Sequence, residues 1–320
     1  MFRQHFLIAI VHAMIVAGKG IKSKPEFDAS GDAMGQLIVA DSIPAVMISF
    51  KATFFLCTGS QMVMLDRRHI RKRTADTPYW QSFALLIYSL TTLLVYHILE
   101  AVAIAFSYKQ AAYGEHFSNS LFVALDTFGF LTDILMIITL LTLLAYFRQH
   151  YGTTLSWDMP KQKPKFIFDV AVLALQAFAA IGTIAMNAAK QTYSYGVVNW
   201  IFWLPKPFFH LYVTTLLIAS LDVAGSAFIL KRALKINNDM IDPGVNSIAQ
   251  LISPLLLIFA LYQTIIDIIP PTVIGFLDRI YLADILVHDL FYLFVNWMLI
   301  NIGTRLKYPL GLIEDDDSTV

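Results

Sequence analysis

The chain has 320 residues, of which 57% are hydrophobic and only 14% are charged. Soluble domains contain about 45–50% apolar and about 25% charged residues, so most of this apolar excess must face lipid. The 23 basic and 23 acidic residues give a net charge of zero, which excludes a basic surface for nucleic acid. The single cysteine, Cys57, excludes an internal disulfide and a multi-cysteine metal site.

The first 18 residues have the pattern of a targeting segment. Arg3 and His5 precede an apolar stretch over 6–18, which ends in small residues. This stretch is shorter than the roughly 20 residues that cross a bilayer, so we predict a signal peptide or signal anchor over 1–18. Residues 19–35 are then expected to form a luminal segment.

Seven apolar stretches follow, each long enough to be a transmembrane helix. They lie at 36–65, 82–106, 120–147, 166–188, 197–230, 245–269 and 278–302. The sequence therefore predicts an all-α polytopic membrane protein with a seven-helix membrane domain over 36–302. Residues 303–320 include an acidic run at 314–317 and are predicted to form a cytoplasmic tail.

Basic residues are concentrated on one side of the predicted membrane domain. The connections after the first, third, fifth and seventh spans contain 14 of the 23 lysines and arginines, whereas the opposite connections contain Lys109, Lys190 and Arg279. Cytoplasmic connections carry the excess of basic residues in membrane proteins. We therefore predict that the N-terminus is outside or luminal and that the C-terminus is cytoplasmic.

Ionisable residues within the spans are the candidate functional residues, because a charge at the bilayer centre costs about 2.5–3.5 kcal/mol on insertion scales. At about 1.5 Å per residue, Asp41 falls in the outer half of the membrane together with six others. The six others are His97, Glu100, Asp126, His210, Asp284 and His288. Pro205 and Pro207 predict a break in the fifth span, and the nearby aromatic residues are expected to wall the same pocket: Trp203, Phe209 and Tyr212.

Helical spacing indicates which of these residues share a face. Asp126 and Asp133 are seven residues apart, which corresponds to an angular difference of about 20°. His97 and Glu100 are three residues apart, a difference of about 60°. We therefore expect the acids and histidines to line a common interior.

Several charged residues also have a purely structural interpretation. Asp169 and Asp267 fall at the ends of spans, where an exposed carboxylate needs no function. Lys51 with Asp41, and Asp222 with a neighbouring residue, are candidates for interhelical pairs that fix the packing.

Three other classes of membrane protein are less well matched. A rhodopsin-type receptor has the same seven spans, but Arg148 has no acidic residue before it and the last span has no Asn-Pro-X-X-Tyr motif. An orphan receptor that signals through basic cytoplasmic loops stays open as the alternative. A zinc hydrolase needs converging histidines, and no span has a His-X-X-X-His pair, so we expect no metal and no other cofactor. No internal repeat indicates a transporter.

Buried acids and aromatic residues together suit acid catalysis. A carboxyl group in apolar surroundings tends to keep its proton, and aromatic rings stabilise a carbocation. In these features the chain resembles the fungal integral-membrane terpene cyclases of meroterpenoid and indole-diterpene pathways, which are small seven-helix proteins without a metal-binding motif. The resemblance implies that the catalytic acids are Glu100 in the second span and Asp284, or Asp289 in its place, in the last span.

The same resemblance implies a cyclase or isomerase that protonates a lipophilic prenyl substrate inside the bilayer. The expected substrate contacts are His97, Asp126, Trp203, Phe209, His210, Tyr212 and His288. The expected partners are a lipophilic small molecule and the lipid bilayer; nucleic acid is not expected, and the sequence indicates no particular protein partner. The predicted location is an endomembrane such as the endoplasmic reticulum, or the plasma membrane if the protein is a receptor.

Overall fold

The computed structural model describes seven segments of the backbone, 33–67, 80–113, 119–152, 162–192, 205–238, 242–268 and 277–306. Each segment contains one long helix, and no described residue is in a strand. The helices are α1 (Ala33–Leu65), α2 (Trp80–Tyr113), α3 (Asn119–Gly152), α4 (Gln162–Thr192), α5 (Pro205–Asn238), α6 (Pro243–Ile268) and α7 (Leu277–Leu306). The predicted all-α class is confirmed over these residues.

Each of the seven helices contains a stretch that is long and apolar enough to cross a membrane. The shortest of these stretches has 19 residues and the longest has 31, so all of them approach or exceed the thickness of the hydrocarbon core. A helix satisfies its own backbone hydrogen bonds, which is the requirement for crossing a region without water. The seven apolar helices indicate an integral membrane protein.

The helices pack in a ring that follows the order of the chain. Each helix from α1 to α6 contacts the next one, and α7 closes the ring against α1. Across the ring, α3 packs against α5 and α2 packs against α7. Because successive spans alternate in direction, α1, α3, α5 and α7 all begin at one end of the bundle, which we call end A. They finish at the opposite end, end B.

The main apolar core lies where α2, α3, α5, α6 and α7 meet. Leu90, Leu140, Val223, Ile252 and Val295, one from each of these helices, have no exposed surface. In contrast, α4 presents large apolar side chains outward, among them Phe166, Phe178 and Ile181. This distribution is expected for a helix whose outer face contacts lipid.

The start of α6 is capped, and the helix is interrupted by a π-helical turn. Oδ1 of Asp242 accepts hydrogen bonds from the backbone N–H groups of Gly244 and Val245, at 2.7 and 2.9 Å. A proline fits the first turn because its missing N–H would have no partner there. The chain then forms a π-helical turn over Ile248–Ile252 and continues as the α-helix Ser253–Ile268. Such turns are frequent at functional sites.

The helix bounds differ in detail from those predicted. α1 begins at Ala33 and α7 ends at Leu306, so the helical domain extends beyond 36–302 on both sides. α5 begins at Pro205, which puts Pro205 and Pro207 in a first turn instead of at a break within a span. A proline in a first turn leaves no hydrogen bond unmade. The predicted signal segment and most of the predicted tail lie outside the described residues.

Candidate functional site

A lysine and two carboxylates from three helices meet inside the bundle near end A. Nζ of Lys51 on α1 donates a hydrogen bond to Oδ2 of Asp289 on α7, at 2.7 Å. The same nitrogen forms an ion pair with the carboxylate of Glu100 on α2. All three side chains are 3% exposed or less. We call Lys51, Glu100 and Asp289 the ionic cluster.

Two histidine rings flank the ionic cluster. Nδ1 of His288 on α7 is 3.3 Å from Oδ1 of Asp289, and Nδ1 of His97 on α2 is 3.7 Å from the same oxygen. On its other side, Nε2 of His97 is 3.5 Å from Oγ1 of Thr58 on α1. His97 and Glu100 are three residues apart, so both face the same neighbours. The two imidazoles are therefore placed to exchange protons with the carboxylate of Asp289.

Aromatic rings surround this polar group. The ring of His288 packs against three others, with centroid distances of 5.2 Å to Tyr96, 4.8 Å to Tyr292 and 5.8 Å to Phe259. Nζ of Lys51 is 5.2 Å from the centroid of the Tyr96 ring. The faces of aromatic rings attract cations, and their apolar bulk excludes water from the charges beside them.

A further buried carboxylate, Asp133 on α3, accepts hydrogen bonds from two tyrosines. The hydroxyl of Tyr212 on α5 donates to its Oδ2 at 2.6 Å, and the hydroxyl of Tyr292 on α7 donates to its Oδ1. Tyr292 also packs against His288, so this group adjoins the ionic cluster. We call Asp133, Tyr212 and Tyr292 the Asp133 cluster. It joins three helices through one carboxylate.

Five of the residues predicted for the site lie in or beside these two clusters: His97, Glu100, His288, Tyr212 and Phe209. Phe209 reaches the Asp133 cluster through the ring of Tyr212, at a centroid distance of 6.5 Å. The side chain of Asp284 and all of Trp203 lie outside the described residues. Between the two acids proposed for the last span, Asp289 is the one that the structure brings to Glu100 through Lys51.

Asp126 and His210 do not contribute to a common interior in the way predicted. Oδ2 of Asp126 accepts a hydrogen bond from Asn187 on α4 at 3.0 Å. Although Asp126 and Asp133 share a helix face, seven residues separate them by about 10 Å along the axis, so they meet different helices. His210 pairs with Asp267 on α6, and its side chain is 51% exposed. It therefore lies on the outside of the bundle.

The role of Lys51 is the main feature that the sequence interpretation missed. From the sequence, Lys51 is a candidate for a structural pair with Asp41, and Asp289 is only the alternative to Asp284. In the structure, Lys51 contacts Glu100 and Asp289. The charge of Lys51 is the sequence feature that could have predicted this role, because a lysine within a span requires a carboxylate at its own depth. Glu100 and Asp289 satisfy that condition on α2 and α7.

The two clusters offer proton-exchanging groups but no evident metal site. Among the side chains that the structure describes, no three His, Cys, Asp or Glu residues converge so that they could hold a metal ion. The functional groups of the two clusters and the flanking histidines are carboxylates, imidazoles, phenols and one ammonium group.

The seven apolar helices that the structure describes, together with the site, indicate an integral membrane protein with a buried ionic centre. No family model, curated protein or solved structure matches the chain.

Proposed function

We propose that the protein is a membrane-embedded enzyme that protonates a lipophilic prenyl substrate and so starts its cyclisation or isomerisation. The observation that carries this proposal is the ionic cluster, in which Glu100 and Asp289 share Lys51. With neutral histidines, one ammonium and two carboxylates have a net charge of −1. An uncompensated charge at membrane depth costs about 2.5–3.5 kcal/mol on insertion scales. Uptake of one proton removes that cost and leaves the cluster with a proton to donate.

Glu100 is the proton donor in this mechanism, and Asp289 is the anchor. Lys51 and Nδ1 of His288 both contact Asp289 and stabilise its anionic form. The extra proton of the cluster therefore resides on Glu100. His97, which is 3.7 Å from Asp289, receives the proton that the product releases at the end of the reaction.

The aromatic surroundings favour a substrate that becomes a carbocation. Protonation of an epoxide oxygen forms an O–H bond and breaks a C–O bond, which leaves a positive charge on carbon. Tyr96, Phe259 and Tyr292 present rings beside the cluster, and such rings stabilise a desolvated cation by about 2 kcal/mol or more. A prenyl chain reaches this site from the bilayer, in which it dissolves.

The test is incubation of the protein, reconstituted in lipid vesicles, with an epoxidised prenyl compound. A cyclised product has the mass of the substrate and a different chromatographic retention time. Glu100→Gln keeps the size of the side chain but cannot protonate a substrate, so the rate should fall by about 10²–10⁴. The matched control is Asp169→Asn, which removes a carboxylate paired with Lys165 on α4 and should leave the rate unchanged. Equal rates for the wild type and Glu100→Gln contradict the proposal.

The orientation proposed with this function places the N-terminus in the lumen or outside and the C-terminus in the cytoplasm, in an endomembrane. It is supported by the unequal distribution of lysine and arginine between the two sets of connections. In sealed vesicles whose interior is the cytoplasmic side, a tag at Val320 should resist protease, whereas a tag within 189–197 should be cleaved. Cleavage of the Val320 tag without permeabilisation contradicts this orientation.

A seven-helix receptor is the second candidate function. It is favoured by the way polar contacts join distant helices, with Lys51 linking α1 to α7 and Asp133 linking α3 to α5 and α7. Such contacts stabilise one arrangement of a helix bundle. A ligand that binds more tightly to another arrangement increases the fraction of molecules in that arrangement. Asp289→Asn should then change basal signalling in cells. If the protein is an enzyme, the purified protein should instead form the cyclised product without any protein partner.

A further inference from the structure

Several buried polar side chains carry atoms without a hydrogen-bond partner among the described residues, and four of them lie toward end B. They are Gln61 on α1, Ser89 on α2, Ser253 on α6 and Asn296 on α7. None of the four has any exposed surface. The atoms are Oε1 of Gln61, Oγ of each serine and both amide atoms of Asn296. A buried polar group left without a partner costs about 1–3 kcal/mol, so a set of four requires an explanation.

The four residues lie in the half of the bundle nearer end B. Counted from the ends of the apolar spans, they are between about 6 and 15 Å from end B at 1.5 Å per residue. Nε2 of Gln61 donates a hydrogen bond to the backbone oxygen of Leu293 at 2.8 Å. That contact brings the amide of Gln61 beside the turn of α7 that leads to Asn296. We call Gln61, Ser89, Ser253 and Asn296 the polar layer.

The two serines of the polar layer differ from other buried hydroxyl residues in the bundle. Thr139 and Ser220 donate to the backbone oxygen four residues earlier in their own helices, at 2.7 Å in each case. Ser89 and Ser253 make no such bond within the described structure. Ser253 also follows directly after the π-helical turn Ile248–Ile252, where the regular hydrogen-bond pattern of α6 changes. Both hydroxyls are thus free to bind another group.

We propose that the polar layer binds a group of water molecules inside the bundle. A buried water molecule needs two to four polar partners, and hydroxyl and amide groups offer both donors and acceptors. The four side chains are uncharged, which favours water over a cation. The nearest carboxylate along α7 is Asp289, seven residues or about 10 Å away. Because Asn296 and Asp289 share a face of α7, this water extends the polar interior toward end B.

Deuterium exchange at an introduced thiol tests for this water directly and is independent of the proposed reaction. In a Cys57→Ala background, Ser253→Cys and Ser89→Cys each place an S–H group in the polar layer with a minimal change of shape. Ala227→Cys is the matched control, because Ala227 on α5 is fully buried in the apolar core at a comparable depth. The infrared S–H stretching band of the reconstituted protein then reports exchange after transfer to D₂O.

We expect the thiols at positions 253 and 89 to exchange at least about tenfold faster than the thiol at position 227. Equally slow exchange at all three positions overturns the proposal. A second variant, Asn296→Leu, should slow exchange at position 253 because it removes two partners of the water. If Asn296→Leu instead raises the melting temperature and leaves that exchange unchanged, the amide is merely unsatisfied and the proposal fails. Slower exchange in Na⁺ than in choline would identify a cation and also overturn it.

Discussion

The described part of the chain contains two groups of one lysine and two carboxylates, and they differ in burial. The ionic cluster is 3% exposed or less and joins three helices. The second group, which we call the α4–α5 triad, consists of Lys165, Asp169 and Asp222, whose side chains are 15–20% exposed. Lys165 lies in the first turn of α4, and Asp169 follows four residues later on the same helix.

The difference shows that the composition of an ion-pair group does not determine its energetic role. The side chains of the α4–α5 triad are more exposed than those of the ionic cluster, so loss of a partner should cost less there; exposed pairs contribute about 0–1 kcal/mol. The ionic cluster is buried, so loss of one partner costs about 3–5 kcal/mol. The α4–α5 triad therefore serves to hold α5 against α4, whereas the ionic cluster places reactive groups in the interior of the bundle.

The largest expected effect is that of Lys51→Met. This change leaves the buried carboxyl groups of Glu100 and Asp289 without their ammonium partner and the charge of Asp289 uncompensated, so the free energy of unfolding should fall by about 3–5 kcal/mol. Thermal unfolding of the detergent-solubilised protein measures the loss. No change in melting temperature would mean that the ionic cluster is hydrated and resembles the α4–α5 triad.

A neutral version of the whole cluster separates charge from packing. Lys51→Met combined with Glu100→Gln and Asp289→Asn removes the ammonium group and both carboxyl groups at similar volume. Replacing a complete buried ion-pair group is often neutral or stabilising, so the triple variant should be more stable than Lys51→Met alone. If both variants are equally unstable, the cost of Lys51→Met comes from packing, and the comparison of the two ionic groups loses its basis.

A smaller effect is expected for Tyr212→Phe, which removes the hydrogen bond to Oδ2 of Asp133. A hydrogen bond to a charged group contributes about 1.5–3 kcal/mol, and Asp133 is buried. Tyr151→Phe is the control, because its hydroxyl bonds to Asp242 at 2.5 Å at end B, where both side chains are only partly buried. Urea or SDS unfolding should show the larger loss for Tyr212→Phe; equal losses would contradict a special role for burial.

The smallest effect is expected for Lys165→Met in the α4–α5 triad. Its cost should be about 1 kcal/mol or less, and it should diminish as salt screens the pair. The stability difference between wild type and Lys51→Met should not depend on salt, because the ionic cluster is buried. Melting temperatures at low and high NaCl for both variants test this contrast. Equal salt dependence would show that the two groups have the same environment.

The number and order of the helices follow from the sequence, because a bilayer imposes a minimum length of apolar residues on every span. The bounds at Pro205 do not follow from composition. When an apolar stretch precedes a proline, composition predicts one span that includes both. A helix can equally begin at the proline, because its first turn needs no N–H donor there. The seven spans are therefore predictable, while the first turn of α5 is decided by local backbone geometry.

Part of the site also follows from the sequence. His97 and Glu100 share a face at three-residue spacing, and both are charged or titratable groups at membrane depth, so their joint position in the interior is predictable. Depth along a helix is fixed by residue count. The same reasoning places His288 near the same level on α7.

Only the tertiary structure decided which helices these residues meet. Spacing put Asp126 and Asp133 on one face, yet Asp126 pairs with α4 while Asp133 binds tyrosines of α5 and α7. Lys51 pairs with Glu100 and Asp289, which are far from it in the sequence. The charge of Lys51 predicts that it needs a carboxylate partner, but it does not identify that carboxylate. Apolar length and the positions of charges are properties of a single helix, so the sequence determines where each span lies and how deep each residue is in the membrane. Lateral packing arises from contacts between helices, so the assembly of the ionic centre is a property of the folded bundle alone.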